Sequence, residues 1–391
     1  MNWLLKRTKG DPIIWTVIIL LSIFGVLAVY SSTSALAYVN KGGNTEFYLL
    51  KHVGFLVFGL FLMYLAHLVD YRYYSRIAQL LLYLAIPLLL YTLFFGTEIN
   101  SARRWITIPG IGITMQTSDL GKLALIMYVA RFLSRKQEDI KDFKRSFLPI
   151  LGAITTVCLL IAPADLSTAS VLFATCLLIM FIGRINMSYI ALLFITGVVA
   201  ISLLIFGITS SNAPGRIQTW KNRIENYTNN DGDGGSYQSK QAKIAIANGG
   251  IIGRGPGKST QKYFLPNPYA DFIFAIILEE YGLAFGVIII ILYLTLLMRC
   301  IRIVIRSPKA FGALLAVGLS FSLVIQAFIH MGVSVGIFPV TGLALPLISM
   351  GGTTTIFTSL ALGIILSVSR NIEDATAPET EVQKGGNIVT A

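Results

Sequence analysis

The sequence predicts an all-α integral membrane protein of ten transmembrane helices, with one large extracytoplasmic loop between helices 7 and 8. Three observations carry that prediction. Of 391 residues, 55% are hydrophobic and only 13% are charged, a balance foreign to soluble domains. The apolar residues gather into runs close to the roughly 20 residues that cross a bilayer. Basic residues are sorted between alternate loops, as membrane insertion requires.

The runs lie at about 13–33, 48–69, 75–95, 117–133, 147–162, 167–183, 189–209, 271–298, 313–334 and 353–370. With the N-terminus inside, the cytoplasmic loops hold Lys6, Arg7 and Lys9, Arg72 and Arg76, the basic residues from Arg131 to Arg145, Arg184, Arg299 to Lys309, and Arg370. The short loops opposite hold Lys41, Lys51, Arg103 and Arg104. Both termini are therefore expected in the cytoplasm. The formal charge of +12 reflects this orientation, and nucleic acid is not the expected partner. Residues 1–370 form one membrane domain, with the outer loop at 210–270, and 371–391 read as a disordered cytoplasmic tail.

Taken in order, the first span ends near Ala35-Leu36-Ala37, which mimics a signal-peptidase site. The apolar stretch before it is too long for a signal peptide, so an uncleaved anchor is expected. The outer segment 98–122 brings Arg103, Arg104 and Trp105 together. Guanidiniums there suit bidentate phosphate binding, and an Arg–Trp interfacial anchor is the plainer reading. Gln116, Ser118, Asp119 and Lys122 open the fourth span. Asp119 and Lys122 share a helix face three residues apart and are expected to pair. Charges at membrane depth cost roughly 2.5–3.5 kcal/mol each, so they face the protein interior or a wet cavity. Asp165, at a tight outer turn, reads as a helix cap.

Within the large loop, NYTNNDGDGGS is polar and reads as mobile, and Asp231 and Asp233 lack the downstream glutamate of a calcium loop. The stretch around Ala242, Ile244, Ile246 and Ala247 reads as a short helix on the membrane surface. Cys158, Cys176 and Cys300 show no disulfide, metal or nucleophile spacing. His52, His67 and His330 are scattered and read as packing or interface residues.

The stretch from Gly249 to Gly282 concentrates the chemistry. A glycine-rich loop carrying Arg254, Lys258 and Lys262 leads through Pro266 and Pro268 to Asp271, at the start of a long apolar run. Gly257-Lys258-Ser259 mimics the end of a nucleotide-binding P-loop, but Ile252 stands where its first glycine belongs and prolines replace the helix. Glu279 and Glu280 follow in the same run, and one of them is expected to pair with Lys122 as structural support. Residues 331–355 carry glycines and prolines but no charge, and broken backbone of that kind must line a cavity or be buried.

These pieces, SARRWI at 101–106, MQTSDLGKLAL at 115–125, residues 237–282 and GIFPVTGLALPLISMGGTT at 336–354, resemble the SEDS family of shape, elongation, division and sporulation proteins. The resemblance spans the first run to the tenth. It implies a peptidoglycan glycosyltransferase that polymerises lipid II on the outer face of the bacterial inner membrane. It implies that Asp271 is the essential acid, here taken as general base or metal ligand. Substrate-binding roles are then expected for Arg103, Arg104, Trp105, Gln116, Ser118, Arg254, Lys258, Lys262, Ser349, Gly351 and Gly352. A divalent cation, Mg or Mn, is compatible with this chemistry. The partners it implies are lipid II, the nascent glycan strand, a class B penicillin-binding protein as transpeptidase, and other division or elongation proteins. Some motifs depart from the family pattern: QPSE-x-x-K is Gln116-Thr117-Ser118-Asp119 with Lys122, SYGGSS is Ser349-Met350-Gly351-Gly352-Thr353-Thr354, and Asp165 is displaced by one from its motif. The compact loop, short tail and SMGGT variant lean toward the division-type FtsW branch over RodA. A lipid II flippase and a non-catalytic scaffold remain rival readings.

Overall fold

The structure, a computed structural model, describes residues 9–99, 102–107, 114–210, 221 and 237–385. Asp231 and Asp233 with their polar stretch, Lys6 and Arg7 lie outside the described residues.

The helices are α1 Pro12–Ser32, α2 Ser34–Lys41, α3 Thr45–Leu68, α4 Tyr71–Phe95, α5 Thr117–Arg135, α6 Leu148–Ile161, α7 Leu166–Ile182, α8 Met187–Ser210, α9 Tyr237–Gly249, α10 Ile273–Arg306, α11 Ala310–Val335 and α12 Thr353–Gly385. A π-helical turn, Phe143–Phe147, leads into α6. Polar side chains start several of them. Asp11, Asn44, Asp70 and Asp165 accept from the first free amides of α1, α3, α4 and α7, as helix starts require.

Among the described residues, seven helical stretches are long and apolar enough to cross a membrane: α1, α3, α4, Phe143–Ile161, α10, α11 and Thr353–Glu373. Their burial separates centre from rim. The most apolar windows of α11 and α12 are 72% and 67% buried, against 28% for α3 and α4. The central helices thus pack protein on most sides, while α3 and α4 turn Phe58, Phe61, Leu80 and Tyr83 outward. That distribution suits a bundle whose outer faces meet lipid.

Four local features differ from the sequence expectations. Among the described residues the fold is all-helical but for a small antiparallel sheet, β1 Thr97–Ile99, β2 Ala102–Thr107 and β3 Thr114–Gln116, in the order β1-β2-β3. Its register sets Trp105 opposite Gln116. Consecutive Trp105, Ile106 and Thr107, all strand-favouring residues, suit a strand there, a pattern masked by reading Arg-Arg-Trp as an anchor. Secondly, α9 packs one face into the protein. Ala242 and Ala245 are fully buried against Leu265, Phe272, Ala275, Ile276 and Val333, while Ile244 faces outward. Small side chains three apart let two helix backbones approach closely.

Thirdly, the span expected as one rod from 271 is two pieces. Gly282 has φ 79° and ψ 176° inside α10, backbone that only glycine adopts freely. The break exposes peptide groups, and the preceding loop satisfies them. Arg254 and Gly255 donate to the carbonyls of Glu279 and Glu280 at 3.0 and 2.9 Å, while Leu283 and Ala284 donate to Gly250 and Ile251 at 2.9 and 3.2 Å. Finally, α12 runs past residue 370 to Gly385, so the expected disordered tail begins as helix. Arg370 Nη1 caps α3 through the carbonyls of His67 and Leu68, and Glu373 accepts from the Gly10 amide, which anchors this extension.

Candidate active site

Asp271 closes a turn and precedes the helix it was expected to begin. Helix α10 starts at Ile273, with no side-chain cap from Phe272. The amides of Ala270 and Asp271 both donate to the carbonyl of Asn267 at 3.1 Å, and Asn267 takes φ 53° to allow it. This turn is clamped to the charge-free segment before α12. Met350 N donates to Tyr269 O at 3.0 Å, and Ser349 Oγ donates to Ala270 O at 2.8 Å while accepting from Leu345 N at 2.9 Å. A Cβ added at Gly342 would lie 3.8 Å from Asp271 Oδ1, and Gly342 has φ +74°. The backbone therefore passes close beside the carboxylate.

Helix α11 holds the same segment from its other side. Gln326 Nε2 donates to Ala344 O at 2.8 Å, and His330 Nδ1 meets Leu343 O at 2.7 Å. Gln326 Oε1 in turn accepts from Lys122 Nζ at 3.1 Å, and the same ammonium lies 3.3 Å from Asp119 Oδ1. Asp119 Oδ2 accepts from Thr354 Oγ1 at 2.7 Å. Across from these, Arg104 Nη1 donates to Asp165 Oδ2 at 2.8 Å, and its guanidinium lies 5.9 Å from the Trp105 ring centroid. Asp165 thus serves as cap and as ion-pair partner at once.

These elements enclose a cavity of about 200 Å³ whose lining includes Asp271, Arg104, Trp105, Gln116, Asp119, Lys122, Asp165, Tyr269, Gln326, Gly351 and Thr354. Three carboxylates and two cations face one space, with most partners already paired. Burial raises the Tyr269 phenol above its ordinary value, and the charge of Asp271 and neighbouring Tyr48 add to the shift.

The remaining expected site residues fall elsewhere. Arg103 is exposed and pairs with Glu98 at 3.4 Å, while Ser118 accepts from Gln116 Nε2 at 2.9 Å; both line a small adjoining cleft that shares Arg104 and Asp165 with the Asp271 cavity. Gly352 lines the neighbouring cavity. Arg254, Lys258 and Lys262 do not line the Asp271 cavity. Arg254 Nη1 donates to Thr260 Oγ1 at 3.3 Å, Lys262 Nζ to Gly257 O at 2.9 Å, and Lys258 is exposed. Their loop is committed to the broken helix instead.

The expected pairing of Glu279 or Glu280 with Lys122 is also corrected. Glu279 accepts from Ser259 Oγ, from Thr260 N and Oγ1 at 3.2 and 2.9 Å, and from Gln261 N at 3.2 Å, with Arg254 3.8 Å away. Glu280 accepts from Ser31 Oγ and, at 3.3 Å, from Ser259 N. Both carboxylates seal the loop onto α10, and Lys122 finds Asp119 and Gln326. Sequence reasoning did not single out Tyr269, Asn267, Gln326 or Thr354. Tyr269, Asn267 and Thr354 lie within family-like motifs, and Gln326 carried a signal of its own, an amide in an otherwise apolar run.

A family model described as "Cell cycle protein", for FtsW, RodA and SpoVE, matches residues 11–374. The chain belongs to this FtsW/RodA/SpoVE family, the SEDS family. It is 36% identical over 372 residues to stage V sporulation protein E of Bacillus subtilis, covering 93% of this chain and 98% of that one. It is 35% identical over 370 residues to a "Probable peptidoglycan glycosyltransferase FtsW" of Geobacter metallireducens, covering 93% and 96%. Among solved structures, the rod shape determining protein RodA of Thermus thermophilus matches with a TM-score of 0.67 at 23% identity, over 94% of this chain and 98% of that one. A chain of the complex described as "Structural coordination of polymerization and crosslinking by a peptidoglycan synthase complex" matches with a TM-score of 0.73 at 24% identity, over 93% and 98%. The SEDS fold and a multi-pass membrane protein follow from these likenesses and from the apolar helices.

Proposed function

We propose that this SEDS protein is a peptidoglycan glycosyltransferase that polymerises lipid II into β-1,4 glycan strands on the outer face of the bacterial cytoplasmic membrane, during division or elongation. One observation carries the reading: Asp271 shares a cavity with the cations Arg104 and Lys122. Transfer of a diphosphate-linked sugar needs a base for the acceptor hydroxyl and positive charge for the leaving group. The names of its FtsW relatives support the same chemistry.

In this reading the acceptor's terminal 4-hydroxyl oxygen attacks the anomeric carbon of the donor. Its proton passes to the Asp271 carboxylate. The bond from the anomeric carbon to the diphosphate oxygen breaks with its electron pair, and the lipid diphosphate leaves toward Lys122 and Arg104. Attack opposite the leaving group inverts the α linkage to β. The described residues include no group of three or more His, Cys, Asp or Glu able to hold a metal. A magnesium or manganese ion, if bound, would be held by Asp271 and would supply positive charge to the leaving diphosphate, since Mg commonly takes only one or two protein carboxylates.

Helices α5, α7 and α8 complete ten spans in this reading, with both termini cytoplasmic and residues 210–270 outside. A class B penicillin-binding protein is the proposed transpeptidase partner. Lipid translocation is less well supported, because Glu279 and Glu280, which a deep polar path would need, are closed off by residues 259–261.

The test is polymer formation by the purified chain from lipid II, with moenomycin present to silence contaminating synthases. The parent chain is expected to make polymer, and a folded Asp271→Asn variant is expected to make none. Normal polymer yield from that variant would overturn the assignment.

A further inference from the structure

Beside the Asp271 cavity lies a larger one, about 490 Å³, lined by Lys51, His52, Phe55, Trp105, Thr114, Tyr269 and the Met350–Thr353 backbone turn. Trp105, Tyr269, Met350 and Gly351 line both spaces, so the two adjoin through a shared wall. Their chemistry differs. Five ionisable aspartate, arginine and lysine side chains line the first, whereas the described lining of the second includes no carboxylate and the single cation Lys51.

His52 makes the second cavity unusual. It sits two turns into α3 and is only 1% exposed, yet neither Nδ1 nor Nε2 has a hydrogen-bond partner among the described residues. A buried polar group left unsatisfied costs about 1–3 kcal/mol. The neutral ring presents one donor and one acceptor, the pair that a sugar hydroxyl or an acetamido group satisfies. Phe55, Trp105 and Tyr269 add aromatic surface for the apolar face of a pyranose ring, the mix of apolar wall and few polar groups typical of small-ligand sites. Among the described lining residues a diphosphate would find only the cation Lys51.

Resting on the glycosyltransferase reading, we propose that the His52 cavity is a saccharide subsite, holding an uncharged N-acetylated sugar of the glycan next to the reacting pair in the Asp271 cavity. His52 binds that sugar directly and sets its register. The diphosphate group stays with Arg104 and Lys122.

The experiment titrates the purified full chain in nanodiscs with two separate probes. One is a lipid-free tetrasaccharide of alternating N-acetylglucosamine and N-acetylmuramic acid; the other is a polyprenyl diphosphate without sugar. His52→Leu is expected to weaken tetrasaccharide binding about tenfold, the worth of one or two hydrogen bonds, and to leave diphosphate binding unchanged. His52→Gln, which keeps a donor and an acceptor, is expected to recover most of the loss. The proposal is overturned if the parent chain does not bind the tetrasaccharide, if His52→Leu binds it as the parent does, if both probes weaken together, or if His52→Gln behaves like His52→Leu. Binding of the tetrasaccharide is read without turnover. A chain that binds it through His52 yet makes no polymer from lipid II would sink the glycosyltransferase reading and leave the subsite standing.

Discussion

Lys122 and Gln326 meet across the bundle, Nζ to Oε1 at 3.1 Å, and the same amide side chain holds Ala344 O at 2.8 Å. The cation is thereby tied to the segment that flanks Asp271. Gln326→Leu is expected to strand both partners. Unfolding should become easier by about 1–3 kcal/mol, the cost of buried groups left unpaired. Thermal denaturation in detergent, read beside polymer yield, checks this. Lys122→Met should cost more activity, roughly 10²–10³-fold in kcat if the ammonium meets the leaving diphosphate.

Exchanging charge between Lys122 and Glu279 is expected to give no rescue. Lys122 pairs with Asp119 and Gln326, while Glu279 accepts four hydrogen bonds from residues 259–261. Removing the acceptor, as in Glu279→Ala, leaves several donors unmatched and should destabilise by about 3–5 kcal/mol. Recovery of stability or activity in the Lys122→Glu, Glu279→Lys double variant would show that the two side chains do meet.

Ser349 is the stitch between the Asp271 turn and the segment before α12, bonded to Ala270 O and Leu345 N. Ser349→Ala is expected to cost about 1–3 kcal/mol through the buried Leu345 amide it abandons. It should lower kcat more than it raises KM, because Ser349 Oγ is engaged by Ala270 O and Leu345 N and its loss loosens the turn that carries the carboxylate. Equal binding of a polyprenyl diphosphate by parent and variant would agree with that split.

The raised pKa of Tyr269 predicts a pH effect of definite sign. Burial, the charge of Asp271 and nearby Tyr48 all favour the neutral phenol in the folded state. The stability this contributes is complete below the ordinary tyrosine value of about 10 and is lost as pH rises through the higher folded value. Tyr269→Phe, with no proton to lose, should therefore show a shallower loss of thermal stability above about pH 10, measured by denaturation midpoint against pH.

Much of the molecule was legible in the residues because membrane proteins write their constraints coarsely. Apolar runs and caps such as Asp165 mark helix ends, and the same physics places Asp271 near Gly342 and Gly351, where uncharged, glycine-rich backbone must line a space. What stayed hidden depends on long-range partners. Nothing local says that Arg254 and Lys262 serve their own loop, or that Glu279 faces Ser259, since a single glycine at 282 redirects the helix. Likewise β2 was obscured by the very Arg104 and Trp105 that make it informative, and Tyr269 and Thr354 lie inside family-like motifs without any local feature that assigns them a contact.

The interruption at Gly282 also bears on how the chain can be inserted during synthesis. A helix with four unanswered peptide groups would be a poor substrate for transfer into lipid, where each such group costs several kcal/mol. Here the answering groups, at Gly250, Ile251, Arg254 and Gly255, precede α10 in the chain. In a polypeptide emerging N-terminus first, these partners are already made when the broken helix is delivered.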